Sequence, residues 1–231
     1  MQKYSGFNLN LEGWLCDRVV RTWFRPSDSH YDAMHIWWSN GIFGQEAAYF
    51  LTELDEAPKT GELNVGSTEL IALAGATWTT PDSPCARHSN PHQRTRAARM
   101  ARRDKCSASE LILFFPLLEY FVRELVVPSG KMIKLVDSLL ALCASVRQVQ
   151  MLKFSYSDEG CSNLLTLIQK HLDLFIDAYG HEYVRPKHHC QFHVPAQAKK
   201  RHMLLDCFAP ERTNANFQKC SCTIFGTTLR L

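Results

Sequence analysis

Apolar positions recur at helical spacing through residues 107–180. After "VPSG", Met132, Leu135, Val136, Leu139, Leu142, Cys143 and Val146 fall on one face, the i, i+3, i+4, i+7 stripe of a helix packed on a core. A second stripe runs from about Ser162 to Tyr179 through Leu164, Leu165, Ile168, Leu172, Phe175, Ile176 and Tyr179, with Gly180 placed to end it. Ahead of both stands "LILFFPLLEYFVRELVV", residues 111–127. Ser107 with Glu110 three residues on forms a capping-box signature before this run, and Pro116 predicts a kink or a first turn. Upstream, "NGIFGQEAAYFLTEL" sets Ile42, Ala47, Phe50, Leu51 and Leu54 at helical spacing, while "LCDRVVRTWF" carries short β-branched runs.

The pattern divides the chain into four zones: 1–56 mixes strand-like and helical signals, and 57–106 is a loop ending in a basic tract. Residues 107–180 are three helices, and 181–231 hold a histidine cluster and a polar end. With 45% hydrophobic and 21% charged residues in 231, the chain can bury a core without cross-links. Nine irregularly spaced cysteines and no CxxC pair argue for reduced thiols and an intracellular setting. The N-terminus has no apolar signal-like run. Residues 111–127 are too short and too interrupted by charge to span a bilayer, so no membrane partner is expected. A net charge of +3 makes any nucleic-acid argument a local one.

Three constellations carry candidate chemistry. In "RPKHHCQFHVPAQ", Pro186 suits the first position of a helix. His189 and His193 then stand i, i+4 on one face, a ligand-like pair without diagnostic partners. The plainer reading is a polar helix start with one histidine packed inside. In "YDAMHIWWSNG", Asp32 and His35 are three apart among aromatics. Asp32 could cap the following turn, or, at the end of a strand, hold a Mg²⁺ ion. In "DCFAPERTNANFQK", Glu211 opens a polar helix where the helix dipole already favours it.

Taken in order, "YDAMHIWWSNGIFGQEAAYFL", "RPKHHCQFHVPAQ" and "DCFAPER" resemble the transposase cores of cut-and-paste DNA transposons of the CACTA and Plavaka-like type, and related transposon-derived genes of protists. The resemblance spans about residues 25–215 and rests on motif order more than on any single motif. It implies a mainly α chain in which a partial ribonuclease H-like α/β core is interrupted by a helical insertion. It also implies a DDE site in which Asp32 matches the second carboxylate and Glu211 the third. These two would hold Mg²⁺ or Mn²⁺, with His35, His188, His189 and His193 supporting them. Two such ions clamp the attacking and leaving oxygens of a phosphodiester.

The chain departs from that pattern in two places. Only 31 residues precede Asp32, too few for the elements that should carry a first carboxylate, and Asp17 and Asp28 sit too close to replace it. After Glu211 the usual basic continuation is replaced. The expectation is a truncated or decayed copy, inactive alone in DNA strand cleavage. DNA remains the expected partner, through Lys187 and the tract holding Arg94, Arg96, Arg99, Arg102 and Arg103. That tract reads equally as a nuclear-import signal or a solvated face. Self-association is compatible with the sequence. Two other readings stay open: a non-catalytic helical binding module, and a structural zinc domain built from His188, His189, His193 and a cysteine.

Overall fold

The computed structural model describes residues 30–57, 65, 66, 70 and 107–207. A buried carboxylate organises the packing of its helices. Glu46 lies on α1 (Ile42–Glu56) and is fully buried. It faces a hairpin of two 22-residue helices, α3 (Ile133–Phe154) and α4 (Asp158–Tyr179). Ser138 of α3 donates to Glu46 Oε1 at 2.7 Å, and His171 of α4 meets Oε2 through Nε2 at 2.6 Å. A charge in the interior is tolerated only when paired and hydrogen-bonded, so α1 is held in one register against both helices. Tyr49 extends the seam by packing on Tyr179 and Tyr183.

Most of the expected stripe positions are buried, but Leu165 of α4 is exposed. In α3, Val136, Leu139, Leu142, Cys143 and Val146 face the core, joined by Val149 and Leu152. By length and composition α3 could cross a bilayer; its apolar face is packed in this core. Helix α4 starts at Asp158, four residues before the sequence expectation, because Ser157 caps it by accepting the Gly160 amide at 2.9 Å. Asp158 and Glu159 suit that first turn. It ends at Gly180, as expected, with φ +98°, a backbone state side chains disfavour.

Helix α2 (Ala108–Phe121) begins with the full Ser107–Glu110 capping box. Pro116 lies inside it, where it cannot donate to the carbonyl of residue 112. The chain continues as a π-turn, Val122–Val126, and a 3-10 turn, Val127–Ser129. Leu111, Phe114, Leu118 and Phe121 face inward, and Glu119 pairs with Arg123 of the π-turn and Arg147 of α3. Two short helices follow α4: α5 (Pro186–Cys190) and α6 (His193–Arg201).

Among the described residues there is no strand. The mainly α expectation therefore stands, and a ribonuclease H-like sheet is not part of the described structure. The strand-like "LCDRVVRTWF" lies outside it, as do Asp17, Asp28, the basic tract and Glu211. Asp32 is not at a strand end. It precedes a π-helical turn, Met34–Trp38, whose Met34, Ile36, Trp37 and Trp38 are all buried. The wider π-turn directs four of its five side chains, all but His35, into the core; Trp38 meets Phe43 and Phe115.

The buried carboxylate makes a stability prediction. Removing one partner, as in His171→Ala, should cost about 3–5 kcal/mol because it breaks a buried carboxylate–imidazole pair and leaves Glu46 Oε2 without its partner. The double variant Glu46→Leu/His171→Leu should recover most of that loss. Urea unfolding of both variants checks it; a double variant no more stable than the single one contradicts the pairing.

Candidate functional site

Asp32 sits where the two ends of the described chain meet. Its neighbour Ala33 donates its amide to the carbonyl of Leu205 at 3.0 Å. On the other side, Tyr31 and Gln197 exchange two hydrogen bonds: Tyr31 N–H to Gln197 Oε1 at 2.8 Å, and Gln197 Nε2 to the Tyr31 carbonyl at 2.9 Å. The Tyr31 ring stacks on His193 with centroids 4.6 Å apart. The returning strand of chain is itself fixed: Leu204 is buried, and Asp206 pairs with Lys153 at the end of α3 at 2.9 Å.

This closure brings three different donors together. Ligand atoms of Asp32, His35 and Cys207 all lie within 4.8 Å of one another. Asp32 Oδ2 accepts the His35 amide at 2.9 Å, the expected cap of the turn, and also lies against His35 Nδ1. Asp32 Oδ1 is buried without a hydrogen-bond partner. His35 is about half exposed, so the corner opens to solvent.

Lys187 has a different place from the expected phosphate contact. Its ammonium donates to the carbonyls of His35, Ser39 and Asn40, at 2.8 Å for Ser39 and 3.0 Å for Asn40. An ammonium has three hydrogens, and three carbonyls at the end of the π-turn take them. Lys187 thus ties α5 to the turn that carries His35. Asn40 has φ +49°, and a side chain on Gly41 would collide with the backbone of Trp37 at 2.2 Å. The "SNG" tripeptide is what lets the chain turn sharply enough to present those carbonyls.

The histidines divide into two environments. His189 and His193 fall on different short helices, with Nε2 atoms 3.1 Å apart. One nitrogen must accept from the other, so at least one ring is neutral. Burial and the neighbouring His189 lower the pKa of His193 accordingly. His188 diverges from them into the core, as the plainer reading of the motif expects. It is buried, accepts the Arg185 amide on Nδ1 at 3.0 Å, and packs on Phe175 and His171. Its proton then resides on Nε2, which has no partner. Burial, with the adjacent His171, depresses its pKa to about 3.

The structure therefore joins Asp32 to His35 and His189 to His193, buries His188 against Phe175 and His171, and sets Lys187 on the carbonyls of the turn. Glu211 and the arginines lie outside the described residues. Cys207, Glu46 and His171 were not singled out by the sequence. Glu46 and His171 had a signal: each interrupts an apolar stripe, Glu46 between Ile42 and Phe50 and His171 between Ile168 and Phe175.

Mg²⁺ fits this corner poorly. It demands near-octahedral oxygen ligation, and the described donors are one carboxylate, one imidazole and one thiol. No family model, curated protein or solved structure matches the chain.

His188 gives a pH prediction. Unfolded, the ring takes up a proton near its ordinary value of 6.5; folded, it does so only near 3. Between those values the unfolded chain binds more protons, so stability falls as pH drops, by about 1.4 kcal/mol per unit. His188→Phe should flatten this part of the profile relative to wild type. Parallel urea midpoints at pH 6.5, 5.5 and 4.5 check it; identical slopes in both proteins contradict it.

Proposed function

We propose that the chain derives from a DDE-type transposase and keeps a DNA-binding role without cutting DNA by itself. The observation that carries this reading is the return of residues 204–207 to Asp32, through the Ala33–Leu205 bond. A DDE ancestry requires the "YDAMH" segment and the segment leading to "ER" to lie side by side, although 175 positions separate Asp32 from Cys207. Glu211 follows Cys207 by four residues, a span of at most about 14 Å. The order of the three motifs supports the same ancestry.

The donor set at Asp32 supports binding over catalysis. A two-metal mechanism needs several hard oxygens around both ions, and the described corner supplies a single carboxylate. Mg²⁺ or Mn²⁺ belongs to the ancestral chemistry and would accompany only residual cleavage. DNA contact falls to the basic tract, where Arg94, Arg96, Arg99, Arg102 and Arg103 would neutralise phosphates without reading bases. A nuclear setting follows from a DNA partner.

A helical interaction module is the second reading. An open recess of about 720 Å³ along α4, lined by Leu165, Leu174 and Phe192 beside Lys170 and Asp173, favours it.

The two readings separate in one titration. Binding to a labelled duplex should be sequence-tolerant and fall steeply with salt. Arg96→Ala/Arg99→Ala/Arg103→Ala should reduce the log–log salt slope by nearly three, at about 0.9 per phosphate contact. Helical circular dichroism of the triple variant should match that of the wild type. Fluorescence anisotropy at several salt concentrations measures the slope. No duplex binding by the full chain would remove the DNA role and leave the helical module.

A further inference from the structure

The donors at the Asp32 corner differ in kind from those the ancestry calls for, and that difference has a chemical meaning. A thiol, an imidazole and a carboxylate are the ligand types of a borderline-soft transition ion. They are spaced for one ion. Atoms bound to a tetrahedral zinc at about 2.0–2.3 Å lie roughly 3.5 Å from each other. The three ligand atoms here lie within 4.8 Å of one another, near the spacing that one ion requires.

Two of the three positions are rigidly supported. Asp32 sits between the Tyr31–Gln197 and Ala33–Leu205 hydrogen bonds. Cys207 follows Asp206, held by Lys153. His35 is positioned by its own amide on Asp32 Oδ2 and by Lys187 on its carbonyl. Asp32 Oδ1 is a buried acceptor without a hydrogen-bond partner. A cation against the carboxylate would offset that cost.

We infer that Asp32, His35 and Cys207 bind a zinc-class divalent ion, with the fourth position open to water at the solvent-facing side of His35. This inference stands on the described donors alone and does not depend on DNA binding or on ancestry. The ion would bind the thiolate, so the Cys207 thiol loses its proton to solvent on loading, and affinity should rise with pH. With three protein ligands and one open position, the centre has the ligand count of a zinc that can take a water or a ligand oxygen. It would also brace the closure of residues 204–207 on Asp32.

Cobalt(II) is the probe, added to the reduced full-length chain. It should give a thiolate-to-cobalt charge-transfer band and the intense visible bands of a tetrahedral site. Zinc should displace it, and a large excess of Mg²⁺ should not. Cys207→Ser should lose the charge-transfer band. Asp32→Asn and His35→Ala should each weaken binding by more than about tenfold, the lower bound for loss of even an indirect metal contact. Helical circular dichroism should persist in all three variants. Eight other cysteines are present, so the comparison with Cys207→Ser is decisive. An unchanged band in Cys207→Ser, equal displacement by Mg²⁺, or no cobalt spectrum at all would overturn the assignment and leave Asp32 as a turn cap only.

Discussion

A carboxylate without access to water constrains this fold more than any other group. Glu46 is fully buried, and its two oxygens are taken by Ser138 and His171 from separate helices. Apolar packing tolerates small slides between helices, because many contacts of about 0.1–0.2 kcal/mol can be exchanged for similar ones. A buried, hydrogen-bonded carboxylate does not tolerate them, because any shift that lengthens its hydrogen bonds exposes the desolvation penalty. The α1, α3 and α4 register is therefore set at one point, and the aromatic seam of Tyr49, Tyr179 and Tyr183 follows from it. His188 sits beside the pair and stays neutral there, which places α5 against α4.

The Asp32 corner hangs from that frame. Three residues separate helix α1 from the π-turn that carries His35, so fixing α1 constrains the turn. Helix α5 supplies Lys187, whose ammonium gathers the carbonyls at the end of the turn. Helix α6 supplies Gln197, which reads the backbone of Tyr31 on both its polar atoms. The corner is thus a junction of backbone groups, and the side chains of Asp32, His35 and Cys207 are what that junction holds together. An irregular turn at such a junction is consistent with the tendency of π-turns to occur at functional sites.

Local patterns told most of the helical story. The Ser107–Glu110 box, the stripes of α1, α3 and α4, Gly180 and the buried role of one histidine all follow from neighbours within a few positions. The first turn of α4 was missed because its cap, Ser157, lies ahead of the first apolar stripe residue, and periodicity counts only the stripe. The site was less legible. Asp32 and His35 are visible as a pair because they are three residues apart, but Cys207 lies 175 positions from Asp32 and carries no spacing signal. Likewise Glu46 and His171 each look misplaced in an apolar stripe, and only the fold shows that each explains the other. The strand-like pattern before Asp32 lies outside the described residues, and Asp32 itself precedes a π-helical turn.

The proposed transition-metal centre depends on remote segments closing on Asp32. Anomalous scattering at the zinc edge from crystals of the zinc-loaded chain tests it most directly. One peak is expected at this corner, about 2.3 Å from Cys207 Sγ and about 2.0–2.2 Å from a nitrogen of His35 and an oxygen of Asp32. A zinc-loaded crystal with no peak there, or with Cys207 turned away from Asp32, would contradict it.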